Sequence, residues 1–186
     1  MIKQELRLLG VDDGPFTLND ERVIVICTVY RGRHSLDGLF SFWVKRDGLD
    51  ATSELIRAVN KSKHKKQLKI IMIDGVALGG FNIIDLEKVN KDTGLPVIAV
   101  INRKPDLKSI KKAVSRLSRP GKRWALIEKL PPVSKLRLRD GFVYYQYSGL
   151  SREAAEDVIK SSTLRGKIPE PVRAAHLIAG GVASLL

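Results

Sequence analysis

The first part of the chain places short apolar segments between turn residues, a pattern that predicts β-strands. Residues 5–11, 22–31 and 38–46 are rich in Val, Ile, Leu, Phe, Trp and Tyr. Turn residues separate them, including Asp13-Gly14-Pro15 and Asp37-Gly38. Three sequential strands with short connections predict an antiparallel meander.

From residue 50 onward, segments with helical periodicity of apolar residues alternate with short apolar segments typical of strands. Residues 50–63 and 82–91 are predicted to be helices, and residues 68–73 and 96–101 are predicted to be strands. A strand, a crossover helix and a second strand predict a parallel strand pair. The expected fold is therefore α/β, with a mixed sheet flanked by helices.

The last third of the chain adds three predicted helices and a strand pair. Residues 106–117 have apolar residues on one helical face and basic residues along another. These basic residues are Lys108, Lys112, Arg116 and Arg119. Residues 123–129 and 141–147 are predicted to pair as strands, and two helices follow, from Ser151 and from Pro169-Glu170-Pro171. Proline is tolerated in a first helical turn, where its missing donor costs little.

Length and composition indicate a single domain over residues 1–186, because 44% of the residues are hydrophobic and can bury a sizeable core. The lone cysteine, Cys27, lies in an apolar segment. It excludes an intramolecular disulfide and a cysteine-rich metal site, and it favours a reducing compartment. The chain start has no signal-peptide core, and the apolar residues 177–186 are about half the roughly 20 needed to cross a bilayer. A cytoplasmic location without a membrane partner is expected.

The charge of the chain is strongly basic and unevenly distributed. The formal net charge is +13, and residues 103–139 contain thirteen Lys and Arg against two acids, a regional excess of +11. An evenly spread excess would only keep the protein soluble. Clustering favours a surface that binds nucleic acid, either RNA or DNA.

Aspartates lie where several predicted strands end. Asp12 follows Gly10-Val11, and Asp74 follows Ile70-Ile71-Met72-Ile73. Open α/β sheets build their sites at such strand ends, and neighbouring strands would place these acids side by side. Either Asp47 or Asp50, at the end of the third strand, supplies a third carboxylate.

Clustered carboxylates repel one another by about 4 kcal/mol per pair at about 4 Å under an effective dielectric near 20. A bound cation removes that cost, and oxygen ligands favour Mg²⁺ or Mn²⁺ over zinc. Two such ions suit phosphodiester hydrolysis. The alternative is that each aspartate is only a turn residue or a helix N-cap. Asp50, followed by Ala51-Thr52-Ser53-Glu54, looks most like a cap, so Asp47 is the preferred third ligand.

Two further features allow more than one interpretation. The loop of residues 75–82 contains Gly79 and Gly80, whose backbone N–H groups could hold a phosphate, although it lacks the GxGxxG and P-loop spacings. This leaves open an enzyme for small phosphate-containing molecules, or glycines that only permit tight packing. His176 lies on a predicted helix, where a histidine is more often packed or on the surface than a ligand.

Three segments resemble motifs of a mainly archaeal family known as domain of unknown function ninety-nine. They are Gly10-Val11-Asp12-Asp13-Gly14-Pro15-Phe16, Asp47-Gly48-Leu49-Asp50-Ala51-Thr52 and Gly79-Gly80-Phe81-Asn82. That family looks like a distant relative of endonuclease V, a metal-dependent enzyme that nicks nucleic acid near deaminated adenine. The resemblance implies a ribonuclease H-like fold, an activity on nucleic acid and a requirement for Mg²⁺ or Mn²⁺.

The resemblance to endonuclease V spans nearly the whole chain and implies roles for individual residues. Gly10-Val11-Asp12 and Ile73-Asp74-Gly75 are similar to the segments that hold its two catalytic aspartates. Arg46-Asp47-Gly48 is similar to its Arg-Glu-Gly, with the shorter acid. Residues 168–176 are the closest match, and they imply that His176 lies beside the metal. The implied catalytic residues are therefore Asp12, Asp47, Asp74 and His176, with the three aspartates as metal ligands.

The sequence departs from endonuclease V at three places. Its lysine after Gly-Val-Ala falls on Asn102, so Arg103 or Lys104 would have to contact phosphate instead. Its Pro-Tyr-Ile-Pro wedge has no counterpart in residues 39–43, and its base-holding loop is replaced by residues 76–80, so lesion specificity does not follow from the resemblance.

The leading hypothesis is a metal-dependent phosphodiesterase acting on RNA or single-stranded DNA. Its predicted nucleic-acid contacts are Gly79, Gly80, Asn102, Arg103, Lys104, Lys108, Lys112 and Arg116. The alternative is a binding module with the same fold and no catalysis, because the lysine and the wedge are missing.

Overall fold

The computed structural model of the protein describes residues 6–183 and 185. Its strands are β1 (Arg7–Asp13), β2 (Arg22–Arg31), β3 (Ser35–Lys45), β4 (Ile70–Asp74), β5 (Ala77–Leu78), β6 (Asn82–Ile83), β7 (Val97–Ile101), β8 (Ser134–Leu138) and β9 (Gly141–Ser148). Its helices are α1 (Ala51–Lys61), α2 (Leu86–Thr93), α3 (Leu107–Val114), α4 (Pro120–Lys129), α5 (Arg152–Ser162) and α6 (Glu170–Ala183).

Seven of the strands form one mixed sheet in the order β3-β2-β1-β4-β7-β9-β8. The first three pair antiparallel, β4 is parallel to both β1 and β7, and β9 is antiparallel to β7 and β8. β5 and β6 form a separate small hairpin. The predicted mixed sheet, with a three-strand meander and a parallel βαβ unit, is confirmed.

Helices cover both faces of the sheet. α1 and α2 bury their apolar residues on one face, against side chains such as Leu9, Val25 and Ile71. α5 packs on the other face against β4, β7, β8 and β9, and α6 packs there on β1 and β2. Among the described residues, no helix is both long and apolar enough to span a membrane.

The prediction of a strand over residues 123–129 is wrong, because these residues belong to helix α4. A short apolar segment fits either period, so tertiary packing decides between helix and strand. Here Pro120 begins the helix, and Arg123 is buried and bonded to backbone carbonyls. The strand that pairs with β9 is β8, which the sequence pattern did not predict.

The predicted helix over residues 82–91 is also partly wrong. Asn82 and Ile83 form β6, and the helix begins at Leu86, after Asp85. The Asp85 carboxylate accepts a hydrogen bond from the Lys88 amide, which caps the helix, and Gly94 ends it in the left-handed conformation. The side-chain amide of Asn82 bonds to the start of α1: its Nδ2 donates to Asp50, and its Oδ1 accepts from the Ala51 amide.

Gly10 allows helix α6 to lie against strand β1. A Cβ atom added at Gly10 would lie 2.1 Å from both the carbonyl carbon and the oxygen of Pro171, far inside contact distance. The Pro171 carbonyl also accepts a hydrogen bond from the buried Thr28 hydroxyl at 2.7 Å. The start of α6 therefore has little freedom to move away.

Gly10→Ala is expected to destabilise the fold by up to about 3 kcal/mol, because neither backbone segment can yield without losing these contacts. Urea unfolding of the two proteins measures the change. Gly180→Ala on the same helix is the matched control, since a Cβ there meets nothing within 4 Å. The control should gain stability by about 0.5–1 kcal/mol. A Gly10→Ala protein as stable as the wild type would contradict the close packing.

Candidate active site

Asp12 and Asp74 lie at the same level on two neighbouring parallel strands. Gly10 pairs with Met72 and Val11 with Ile73, so the two aspartates occupy the next position on β1 and β4. Because side chains alternate between sheet faces, residues at matching positions point to the same face. Asp12 is 5% exposed and Asp74 is half-buried.

His176 reaches this pair from helix α6. Its Nδ1 lies 2.7 Å from Asp12 Oδ2, and its ring is 68% exposed. Among the described residues, Asp12, Asp74 and His176 form a group whose possible ligand atoms all lie within 4.8 Å of one another. Two carboxylates and one imidazole at this separation can hold a divalent cation.

Burial and mutual repulsion change the protonation of the acids. Burial, followed by the charges of Asp74 and Asp13, raises the pKa of Asp12 from its ordinary 3.8 to about 7. Burial also raises the pKa of Asp74, although the nearby His176 opposes it. The site is thus an accumulation of buried negative charge that a cation would relieve.

Asp13 is an acid near the site to which the sequence analysis gave no role. Its Oδ2 accepts a hydrogen bond from the Gly79 amide at 3.0 Å, and burial raises its pKa. Its charge also raises the pKa values of Asp12 and Asp74. The signal that could have indicated it is the doubled acid in Asp12-Asp13, at a strand end.

Asp47, the preferred third ligand, is bonded to the β5–β6 hairpin. Its Oδ1 accepts from the Phe81 amide at 2.8 Å, and its own amide donates to the Gly79 carbonyl at 2.8 Å. Its backbone is left-handed, with φ of 46°. A Cβ at Gly80 would lie 2.4 Å from Asp47 Oδ1, which explains a glycine there. Its role as a metal ligand stays a prediction.

Asp50, the other candidate, also holds a loop in place. It lies at the N-cap position of α1, but its side chain makes no cap hydrogen bond to that helix. Its carboxylate accepts instead from the Lys45 amide and, at 2.6 Å, from Asn82 Nδ2. Asn82 Oδ1 accepts from the Ala51 amide in its place. Asn82 thereby connects the hairpin to the first turn of α1.

The predicted nucleic-acid contacts fall into two groups. Asn102, Arg103 and Lys104 are exposed and follow β7, which leaves the sheet at the same end as Asp74, since Asp74 pairs with Val100. The exposed Lys108, Lys112 and Arg116 lie on or just after α3. Gly79 is buried and Gly80 half-buried, and the Gly79 amide is already bonded to Asp13.

A cavity of about 260 Å³ adjoins the strand end that carries Asp74. Its lining includes Gly75 and Gly80, Leu107 and Ile110 of α3, and Gln146 of β9. Most of its surface is apolar with a few polar groups, as in pockets that bind small molecules.

Residues 4–183 match the family described as Endonuclease dU. A UPF0215 protein of Methanothermobacter thermautotrophicus is 44% identical over 183 residues, 97% of this chain and 89% of the relative. These matches confirm the predicted archaeal family.

Solved structures agree on the fold. A protein of unknown function from Archaeoglobus fulgidus has a TM-score of 0.85 and 36% identity, covering 95% of this chain and 98% of that one. Endonuclease V of Ciona intestinalis, solved with an inosine-containing DNA, has a TM-score of 0.64 at 13% identity, covering 97% and 87%. The catalytic domain of human endonuclease V gives 0.62 at 16% identity, covering 95% and 82%. The fold is thus that of endonuclease V, and the chain belongs to the Endonuclease dU family.

Proposed function

We propose that this protein is a divalent-metal-dependent endonuclease that hydrolyses a phosphodiester of nucleic acid beside a deaminated base. The observation that carries the proposal is the group of Asp12, Asp74 and His176, whose possible ligand atoms lie within 4.8 Å of one another at a sheet end. The description of the family supports deoxyuridine in DNA as the substrate.

The donor set fits Mg²⁺ or Mn²⁺. Carboxylate oxygens suit these hard cations, and a cation would offset the burial and the neighbouring charges of Asp74 and Asp13 that raise the pKa of Asp12. Asp12 and Asp74 would hold the ion. When bound, such an ion polarises a phosphoryl oxygen and lowers the pKa of water.

Other residues near the site would bind and orient the substrate. Asp12 contacts His176 through Nδ1, and Nε2 of this largely exposed ring would position water or a phosphate oxygen. Arg103 and Lys104 bind the strand beside the site, and Lys108, Lys112 and Arg116 bind its continuation. The cavity beside Gly75 takes the base.

Cleavage of defined oligonucleotides tests the proposal. Strands containing deoxyuridine, deoxyinosine, inosine or only ordinary bases are incubated with Mn²⁺, Mg²⁺ or EDTA. The wild type is expected to cleave only with metal, and fastest at deoxyuridine, whereas Asp74→Asn is expected to be inactive. Identical products from both proteins, or cleavage in EDTA, would contradict the proposed site. Equal rates on all bases would contradict only the substrate.

The metal site also predicts a stability profile with pH. Between about pH 4 and 7 Asp12 keeps its proton in the folded protein and loses it when unfolded, so metal-free stability should fall as pH rises through that window. Metal binding removes the repulsion, so Mg²⁺ or Mn²⁺ should raise the Tm most near pH 8. Thermal melting with and without EDTA at pH 5 to 8 measures both effects. A Tm that is unchanged by metal at every pH from 5 to 8 would contradict the proposed metal site.

A second candidate function is a nucleic-acid-binding module without catalysis. It is favoured by the Asp47 carboxylate, which is bonded to the Phe81 amide, and by Asn102 at the position where endonuclease V has lysine. It predicts that the wild type binds the same oligonucleotides and cleaves none with either metal.

A further inference from the structure

The β8–β9 hairpin has one face in the core and a second face that no part of the proposed site uses. Leu136, Leu138, Val143 and Tyr145 point into the core that α5 covers. Because side chains alternate along a strand, Lys135, Arg137, Phe142 and Tyr144 lie on the opposite face. Lys135, Arg137 and Phe142 are exposed, and Tyr144 is half-buried. These four residues form the hairpin strip.

The two cations of the hairpin strip lie on β8 and face the two aromatic rings on β9. Lys135 pairs with Tyr144 across the strands, and Arg137 pairs with Phe142. Lys135 Nζ lies 3.9 Å from the centre of the Phe142 ring and 6.0 Å from that of Tyr144. The Arg137 guanidinium carbon lies 4.8 Å from the Phe142 ring centre. Each ring of the hairpin strip therefore has at least one of the two cations within about 6 Å of its centre.

The hairpin strip continues from the cavity beside the active site. Gln146, which lies on β9 two residues beyond Tyr144, lines that cavity, as does Val133, which immediately precedes β8. Residues two apart on a strand share a face, so the cavity and the hairpin strip lie on one side of the sheet. The strip then extends along β8, the outermost strand, away from the cavity.

We propose that the hairpin strip binds the single-stranded nucleotides that flank the nucleotide held at the active site. Ring faces stack on unpaired bases, and adjacent cations neutralise the phosphates that join those bases. An acidic peptide would use the cations but would not need the rings. The acid at the hairpin turn, Asp140, is already paired with Arg139 and with the Gly166 amide. This inference rests on the proposed function.

Binding in EDTA tests the inference separately from catalysis. Fluorescence anisotropy measures the affinity of wild type, Phe142→Leu/Tyr144→Leu and Lys135→Gln/Arg137→Gln for a labelled single strand and for its duplex. Lys63→Gln/Lys66→Gln is the matched control, since it removes two exposed charges elsewhere.

Loss of the rings is expected to weaken single-strand binding about 10-fold or more and to affect the duplex less. Loss of the two charges is expected to reduce the slope of log affinity against log salt by about 1.4. The control should match the wild type. Melting curves establish whether each variant is folded. If the ring variant is unfolded, the charge variant still tests the inference.

Three outcomes would overturn the inference. They are an unchanged single-strand affinity in both variants, an equal loss for duplex and single strand, and displacement of the oligonucleotide by polyglutamate at a similar charge concentration. Absence of cleavage by the wild type, together with the expected changes in binding of the variants, would instead contradict only the proposed function. A photoactivatable 5-iodouracil strand adds a direct measurement, because it should crosslink to Phe142 or Tyr144.

Discussion

Asp12→Asn is expected to slow cleavage by roughly 10³-fold while it stabilises the metal-free protein. Loss of a ligand that contributes several kcal/mol to transition-state stabilisation corresponds to about this factor. The stabilisation arises because Asp12, at 5% exposure, is a buried acid beside Asp74 and Asp13. Asparagine has nearly the same shape and can still accept a hydrogen bond from the Asp13 amide, but it carries no charge.

Both effects can be measured on the same preparation. Single-turnover cleavage gives the rate, and melting in EDTA at pH 8 gives the stability. Asp157→Asn, an exposed acid on α5, is the matched control and should change neither. A variant that cleaves normally would exclude Asp12 from the site. A variant that melts at a lower temperature than the wild type in EDTA would show that the buried charge of Asp12 does not dominate the stability change.

Arg123→Met is expected to destabilise the fold by about 3–5 kcal/mol and to lower the Tm by roughly 10 °C. The Arg123 side chain is 1% exposed. Its guanidinium donates to the carbonyls of Gly48 at 2.6 Å and Phe81 at 2.7 Å, and also to those of Asp47 and Ser118. Methionine fills a similar space, but it leaves these partly buried carbonyls without the donors that Arg123 supplies.

Urea and thermal unfolding measure the Arg123 effect. Lys122→Met, the exposed neighbour on α4, is the matched control and should stay close to the wild type. Arg123→Lys keeps the charge but cannot donate in as many directions, so it should lose an intermediate amount. A Tm of Arg123→Met equal to that of the control would mean that these carbonyls do not depend on the guanidinium.

The order of strands and helices follows from the sequence because local patterns determine it. Buried strands such as β2 and β4 appear as continuous apolar segments, and α5 begins at the Ser151 cap. The positions of Asp12 and Asp74 follow as well, since a parallel βαβ unit aligns the ends of its strands. The basic character of residues 103–139 is a property of composition alone.

Other features were decided only by contacts between distant segments. Residues 123–129 fit either period, and the burial of Arg123 under the residue 47–48 loop made them helical. Spacing left both Asp47 and Asp50 open as a third ligand, with Asp47 preferred, yet the carboxylates of both are bonded to the β5–β6 hairpin. No local pattern encodes a hydrogen bond across more than 30 residues.

His176 is the clearest case of what the tertiary structure added. By spacing it was one histidine on a helix, and only a family resemblance gave it a role. Its place beside Asp12, 164 residues away, depends on α6 packing against Gly10 and Thr28. The sequence by itself determined which strands end in acid. The packing of α6 determined which side chain meets them, because the position of α6 depends on its contacts with β1 and β2 and not on any pattern within the helix.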